Sequence, residues 1–219
     1  MSTTSQHVKP VFPYISDTGT WPPESCIFSL MLFIFSIIMG VLYCVRFKQV
    51  QIFCENLPEK TKTSILKLNK TSLWFGFASC FGLVLVASFQ ETNLMWVHML
   101  GAGNVYGGGC IYQWLQTFLS WNLNPQGQKT KTINIVRVIL TSISTITYII
   151  CNIFGTLSLL KFSGDNITLW DANDGGYKFH LTSTITEWIL TAASMSFFYT
   201  FTKDLKEIVV CEILMIQMA

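Results

Sequence analysis

Between Cys26 and Val45 the chain runs on without a single charged side chain. A stretch of ~20 apolar residues, rising ~1.5 Å each as an α-helix, crosses the ~30 Å of hydrocarbon in a bilayer. Four more stretches follow the same rule: Leu73–Phe89, Leu94–Trp121, Val138–Leu160 and His180–Thr202. Composition agrees, since only 12% of the 219 residues are charged against about 25% in soluble domains. A soluble domain of this length needs charge to cover its surface, whereas a chain whose outer surface meets lipid does not. The expectation is an all-α, polytopic transmembrane helix bundle of about five helices. It divides into an N-terminal exoplasmic segment (residues 1–25), the bundle (26–207) and an atypical C-terminal tail (208–219).

The third stretch is the weakest, because Gly101, Gly103, Asn104, Gly107, Gly108 and Gly109 lower its hydropathy. The same small residues suit a helix packed closely against neighbours, and Gly103 and Gly107 are spaced as GxxxG. The N-terminal residues lack a basic region followed by an apolar run, so they do not form a cleavable signal peptide. The first apolar helix is expected to do the targeting.

Basic residues set the orientation, because positive flanks remain on the cytosolic side. Arg46, Lys48, Lys60, Lys62, Lys67 and Lys70 follow the first span, Lys129, Lys131 and Arg137 precede the fourth, and Lys203 and Lys206 follow the fifth. That puts 11 of the 14 lysines and arginines on one face. The opposite face, with Asp17, Glu24, Glu91, Asp165, Asp171 and Asp174, is net acidic and is read as lumenal or extracellular. Of the two sequons, Asn166 falls on that face and is the expected glycosylation site, whereas Asn69 is expected in the cytosol.

A net charge of +2 with no basic stripe excludes a nucleic-acid partner. The seven cysteines form no CxxC pair and read as small apolar residues rather than metal ligands or a disulfide framework. No nucleophile–base pair, phosphate loop or metal signature marks an enzyme, so no catalytic residue, cofactor or metal is assigned.

Polar groups inside apolar spans are the candidates for function, since a charge there costs ~2.5–3.5 kcal/mol even on insertion scales. Glu187 is the clearest, two helical turns after His180 and on nearly the same face. Gln90, Glu91 and His98, around the turn between the second and third spans, are expected at the same end. Together Gln90, Glu91, His98, His180 and Glu187 form a candidate polar cluster. It reads either as a proton, cation or lipid-headgroup site, or as polar contacts that assemble the helices. A pH-sensing role for the histidines is open as well. A second candidate is the segment Pro13, Tyr14, Ile15, Ser16, Asp17, Thr18, Gly19, which reads as a structured cap or a recognition surface. Pro13, Pro22 and Pro23 stiffen it, Asp17 and Gly19 suit a turn, and Tyr14 and Trp21 favour the membrane interface.

The run Pro13 to Thr20, followed by Pro22, Pro23, Glu24, Ser25, Cys26, Ile27 and Phe28, resembles the damage-regulated autophagy modulator (DRAM) family. Lys67 and Asn69, Phe89 to Glu91, His98, and the late Tyr177, His180, Glu187 and Trp188 match as well, so the likeness covers residues 12–207. The resemblance implies a six-helix fold, of which this chain is identified as a member lacking the first helix, with a lipid-exposed groove where that helix would lie. It implies a non-enzymatic multi-pass protein that modulates autophagy, with a link to stress-induced cell death, in lysosomal, late-endosomal or plasma membranes. Expected partners are the lipid bilayer and other membrane proteins. A transporter or channel component using Glu187 and the histidines is an alternative. So is a plasma-membrane adaptor for a lipid kinase, as in related branches.

Overall fold

The structure, a computed structural model, describes residue 8 and residues 12–55, 57–123, 128–164 and 166–205. The tail at 208–219 and Lys9, Asp165, Lys206 and Cys211 lie outside the described residues. The described elements are helical throughout. A single 3₁₀ turn at Asp17–Gly19 precedes α1 (Glu24–Phe53) and α2 (Glu59–Ser88). The next rod is α3 (Glu91–Gly103), carried through a π turn (Asn104–Gly108) into α4 (Gly109–Leu123). Then come α5 (Gln128–Lys161), α6 (Tyr177–Tyr199) and a last turn, α7 (Phe201–Asp204).

Local chemistry explains where the helices begin. Pro23 precedes α1 and Pro58 precedes α2, positions where proline's missing N–H is not needed. Each of these helices opens on a glutamate, as does α3, and a negative charge suits a helix N-terminus. Gly176, before α6, has φ +82°, and a Cβ there would lie 2.8 Å from the Ser158 carbonyl oxygen. Glycine alone fits both demands.

The five rods correspond to the five apolar stretches, and the protein is an integral membrane helix bundle. By length and composition α1, α2 and α5 are each sufficient to cross a membrane. The other two rods are diluted by glycine, serine, threonine and Glu187. The second helix starts at Glu59 rather than near Leu73, because Lys60, Lys62, Lys67 and Lys70 depress hydropathy without interrupting the helix.

Inside and outside are exchanged relative to a soluble protein. On α1, Leu30, Met31, Ile34, Ile37, Ile38 and Val41 face outward, while Gln113, Gln116, Thr117, Thr141 and Ser144 are buried between helices. Gln116 Nε2 donates to Ser72 Oγ at 2.7 Å and Gln113 Nε2 to Ser194 Oγ at 3.1 Å. Small and hydrogen-bonding side chains are what tie helices together where lipid removes the hydrophobic incentive. The apolar part of the core is Met39, Tyr43, Cys80, Tyr112, Phe197 and Phe201. Cys54, Cys80 and Cys110 are buried and Cys151 partly so, whereas Cys26 and Cys44 lie on the outer face of α1.

The closest glycine approach between α2 and the α3–α4 rod differs from the expected one. A Cβ on Gly82 would lie 2.6 Å from the Gly101 carbonyl oxygen, and one on Gly101 would lie 3.0 Å from that of Gly82. Gly107 abuts the Tyr148 hydroxyl, but a Cβ on Gly103 would meet nothing within 4 Å. Gly103 faces a cavity, and the reason is topological. Below the π turn α4 packs along α5, while above it α3 hardly touches α5. The two rods diverge and leave a cleft at the end of the bundle where the N-terminal segment docks, hereafter the capped end. The other end, with most of the lysines, is the basic end.

Candidate functional site

Residues 13–20 fold back over the capped end. Gly19 lies against the Phe28 ring, in contact so close that any Cβ would overlap it. Tyr14 Oη donates to Ser183 Oγ at 2.8 Å, the Ile15 N–H donates to Glu187 Oε2 at 2.9 Å, and Ser16 Oγ donates to Glu91 Oε2 at 3.1 Å. Trp188 Nε1 donates to the Pro13 carbonyl at 3.0 Å. Within the segment, the Tyr14 N–H donates to Asp17 Oδ2 at 3.1 Å and Thr18 Oγ1 to the Ile15 carbonyl at 2.7 Å. The segment is thus bolted to α3 through Glu91 and to α6 through Ser183, Glu187 and Trp188.

Beneath it lies a cavity of about 140 Å³. Tyr14, Asp17, Glu91 and Glu187 line its polar end, and Met99, Gly103 and Leu159 its apolar end. A smaller cavity of about 60 Å³ lies towards α1 and α2, and Ser16, His98, Tyr106 and Glu187 form the wall shared by the two. Asp17 is buried, and its carboxyl is held well above the ordinary aspartate range, first by loss of solvent and then by a hydrogen bond with, and the charge of, the Glu91 carboxyl. Burial likewise raises the Tyr14 phenol. Oε1 of Glu91 is buried, and the proton that Asp17 retains is the donor beside the Glu91 carboxyl.

The five residues of the expected polar cluster take different places. Glu91, His98 and Glu187 share the cavity walls. His98 Nδ1 lies 2.8 Å from the Phe89 carbonyl oxygen, which requires the proton on Nδ1. His180 is buried one layer away, its ring stacked on Trp170 at 4.1 Å and edge-on to Tyr14 at 5.1 Å. Gln90 stays outside the cluster, capping the start of α3 and accepting from Asn93 Nδ2 at 3.1 Å. Among the described residues no three His, Cys, Asp or Glu side chains are grouped so as to hold a metal ion. Asn166 is exposed in the loop between α5 and α6, where its Oδ1 accepts from Thr168 N and Oγ1 at 3.0 and 2.9 Å. Asn69 is fully buried in α2, its Nδ2 donating to the Phe47 carbonyl.

One constellation was not expected from the sequence. At the basic end Arg46 and Arg137, both buried, converge on Asp204 Oδ2 at 3.1 and 2.6 Å. Ser120 Oγ accepts from both guanidinium groups, and the Phe201 ring lies 5.2 and 4.9 Å from their Cζ atoms. Gln49 and Gln116 take further Arg46 N–H groups and Thr200 those of Arg137. The clue lay in residue choice: these are the two arginines of a chain whose other basic residues are lysines. A planar, multidentate guanidinium suits a buried site where an ammonium would not. Ser183, Tyr106 and Trp170 were likewise unmarked, since nothing in their sequence neighbourhood distinguishes them.

Residues 1–208 match the family profile described as the Frag1/DRAM/Sfk1/Cwh43P N-terminal domain. The chain belongs to this family. DRAM-type relatives align along nearly all of it. DNA damage-regulated autophagy modulator protein 2 of Bos taurus is 37% identical over 212 residues, covering 94% of this chain and 76% of that protein. Modulator protein 1 of Homo sapiens is 33% identical over 207 residues, covering 93% and 82%. The modulator of macroautophagy TMEM150B of Danio rerio is 27% identical over 208 residues, covering 95% and 77%. No solved structure matches the chain. The docked segment and the carboxylates beneath it are thus features of a DRAM-family bundle.

Proposed function

We propose that this protein modulates autophagy, without catalysing a reaction, from the membrane of lysosomes or late endosomes, with its capped end in the lumen and its basic end in the cytosol. The observation that carries the reading is alignment along more than nine-tenths of the chain with relatives described as autophagy modulators. The use of polar groups supports a non-catalytic role. Glu187, Glu91, Ser183 and Trp188 spend their hydrogen bonds on holding residues 13–16 in place. A rigid cap of this kind presents a shaped face to partner membrane proteins. The excess of lysine at the other end accords with a cytosolic basic end.

The test is autophagic flux, read as inhibitor-sensitive turnover of the lipidated autophagosome marker in cells that overexpress the protein or lack its gene. Turnover is expected to change in opposite directions in the two. Glu187→Ala, which removes the acceptor for Ile15 N–H, is expected to lose the effect while still reaching the membrane. A folded, membrane-inserted wild-type protein that leaves turnover unchanged in both settings would overturn the proposal.

A further inference from the structure

Asn152 stands in lipid with half of its hydrogen-bonding capacity unused. It is exposed on α5, and at ~1.5 Å per residue it lies about 14 Å along the helix axis from Lys161 at the end of the span. Half of the ~30 Å hydrocarbon thickness is ~15 Å, so the amide lies near the mid-plane. Its Nδ2 donates to the Tyr148 carbonyl of its own helix at 2.8 Å. A second N–H and the amide oxygen remain, and no described residue bonds to either. An unpaired amide is costly in hydrocarbon, where no water is at hand to serve it.

Nearer the basic end the same flank of α5 is spent on α4. The Thr117 and Thr141 hydroxyls pair at 3.4 Å, and Trp114 Nε1 donates to Thr145 Oγ1 at 3.0 Å. Two turns beyond Thr145 comes Asn152, and one more turn brings Thr156. There α3 has parted from α5, and both side chains stand on the rim of the cleft. The polar seam that joins α5 to α4 thus continues towards the capped end without a partner. Ile149, Asn152, Ile153, Thr156 and Leu160 recur at steps of three and four residues, which gathers them on one face. All five are exposed.

Depth decides what covers that face. A lipid keeps its polar groups at the hydrocarbon boundary, ~15 Å from the mid-plane, so a hydrogen-bonding group at the level of Asn152 has to come from another membrane helix. The face carries no charge, so a charged helix does not match it. A second copy of this chain has an amide at that depth by necessity. Copies inserted in the same orientation are related by a two-fold axis along the membrane normal, which sets like residues of the two α5 helices opposite each other. An amide is its own complement, since Oδ1 of each Asn152 can accept the free N–H of the other.

We propose that this protein forms a two-fold dimer through the half of α5 nearer the capped end, held by a reciprocal hydrogen-bonded pair of Asn152 side chains in the middle of the bilayer. Ile149, Ile153 and Leu160 pack against their counterparts around that pair, and the Thr156 hydroxyls meet one turn nearer the capped end. The dimer rests on insertion of α5 in the membrane and does not depend on the autophagy role.

The test uses the full chain with one dye on a terminal tag, reconstituted in phosphatidylcholine vesicles over a range of protein-to-lipid ratios, with photobleaching steps counted per vesicle. The dimer fraction is expected to rise with density as a monomer–dimer equilibrium. Asn152→Leu is expected to weaken dimerisation about tenfold, the size of such bonds between membrane helices. Asn152→Gln, which keeps the amide, is expected to restore most of it, and Ile38→Ala on the outer face of α1 to change nothing. A photocrosslinking residue in place of Ile149 is expected to give a covalent dimer joined to α5 of the second copy, and one in place of Ile38 to react with lipid alone. This readout decides the matter if a substitution at Asn152 disturbs folding. Monomers at every density, or a folded Asn152→Leu that dimerises as the wild type does, would each overturn the proposal. So would crosslinks from position 149 that reach only lipid, or that in cell membranes capture a different protein and never a second copy.

Discussion

At the scale of single residues, the two ends of the bundle show opposite imbalances of charge. At the basic end two buried guanidinium groups share one carboxylate among the described residues, so the anion is worth more than either cation. Asp204→Asn leaves two positive charges facing each other, and breaking a buried pair in this way costs about 3–5 kcal/mol. Arg46→Gln leaves Arg137 and Asp204 balanced and is expected to cost less. Thermal unfolding in detergent should give that order of melting temperatures. At the capped end, Asp17 titrates above its unfolded value, facing Glu91 from α3, Glu187 from α6 and the Tyr14 phenol of its own segment. A carboxyl with a raised folded pKa stabilises fully below the unfolded value of ~3.9 and loses that contribution as pH rises through the folded value. Docking of residues 13–20 is therefore expected to be tighter at lysosomal acidity than at neutral pH, and Asp17→Asn to remove the difference. Amide exchange of that segment at the two pH values measures it. A segment equally protected at both would show that Asp17 does not couple docking to pH. Part of this was legible beforehand: a carboxylate in an apolar span announces itself, so Glu187 stood out. Arg46 and Arg137 did not, because next to lysines they pass for ordinary positive flanks, and only the fold shows that they turn inward.

Among the elements, the α3–α4 rod shows how spacing alone misleads. Its glycines announced close packing, but the motif did not say which glycine makes the contact. The helix turns Gly101 towards Gly82 of α2 and turns Gly103 towards empty space. Alanine substitution separates the two roles. Gly82→Ala forces a methyl onto the Gly101 backbone and is expected to cost about 1–3 kcal/mol as overpacking. Gly103→Ala meets nothing and is expected to be neutral or slightly stabilising, since alanine favours helix over glycine by about 1 kcal/mol. Melting temperatures of the two variants side by side check this. The span boundaries were legible to within a few residues at Cys26, at Lys161 and at both ends of α6. They were not at the end of α1, which runs on to Phe53, or at the starts of α2 and α5, at Glu59 and Gln128, where a helix extends past the hydrocarbon into charged sequence. The π turn at Asn104–Gly108 had no sequence mark beyond its glycines, yet it is the point from which α3 and α5 part.

For the molecule as a whole, the five rods place most of the described lysines at one end and the docked segment at the other, where Lys161 and Lys178 also lie. Glycosylation reads that arrangement directly. With the capped end in the lumen, Asn166 is accessible and Asn69, buried in α2, is not. Asn166→Gln is expected to remove the glycan-dependent gel shift and Asn69→Gln to leave it. A glycan on Asn69 would invert the assignment and require α2 to be unfolded at that point.

The outer face of α1 also carries a ruler. Cys26 and Cys44 both point away from the bundle, about 27 Å apart along the helix axis at ~1.5 Å per residue, close to the ~30 Å thickness of the hydrocarbon. Each thiol therefore sits near a different lipid–water boundary, on a surface that no other described helix covers. A probe on either one reports the depth and tilt of the same helix from opposite leaflets, so this chain carries within its own sequence the pair of markers usually engineered to find how a bundle floats in its membrane.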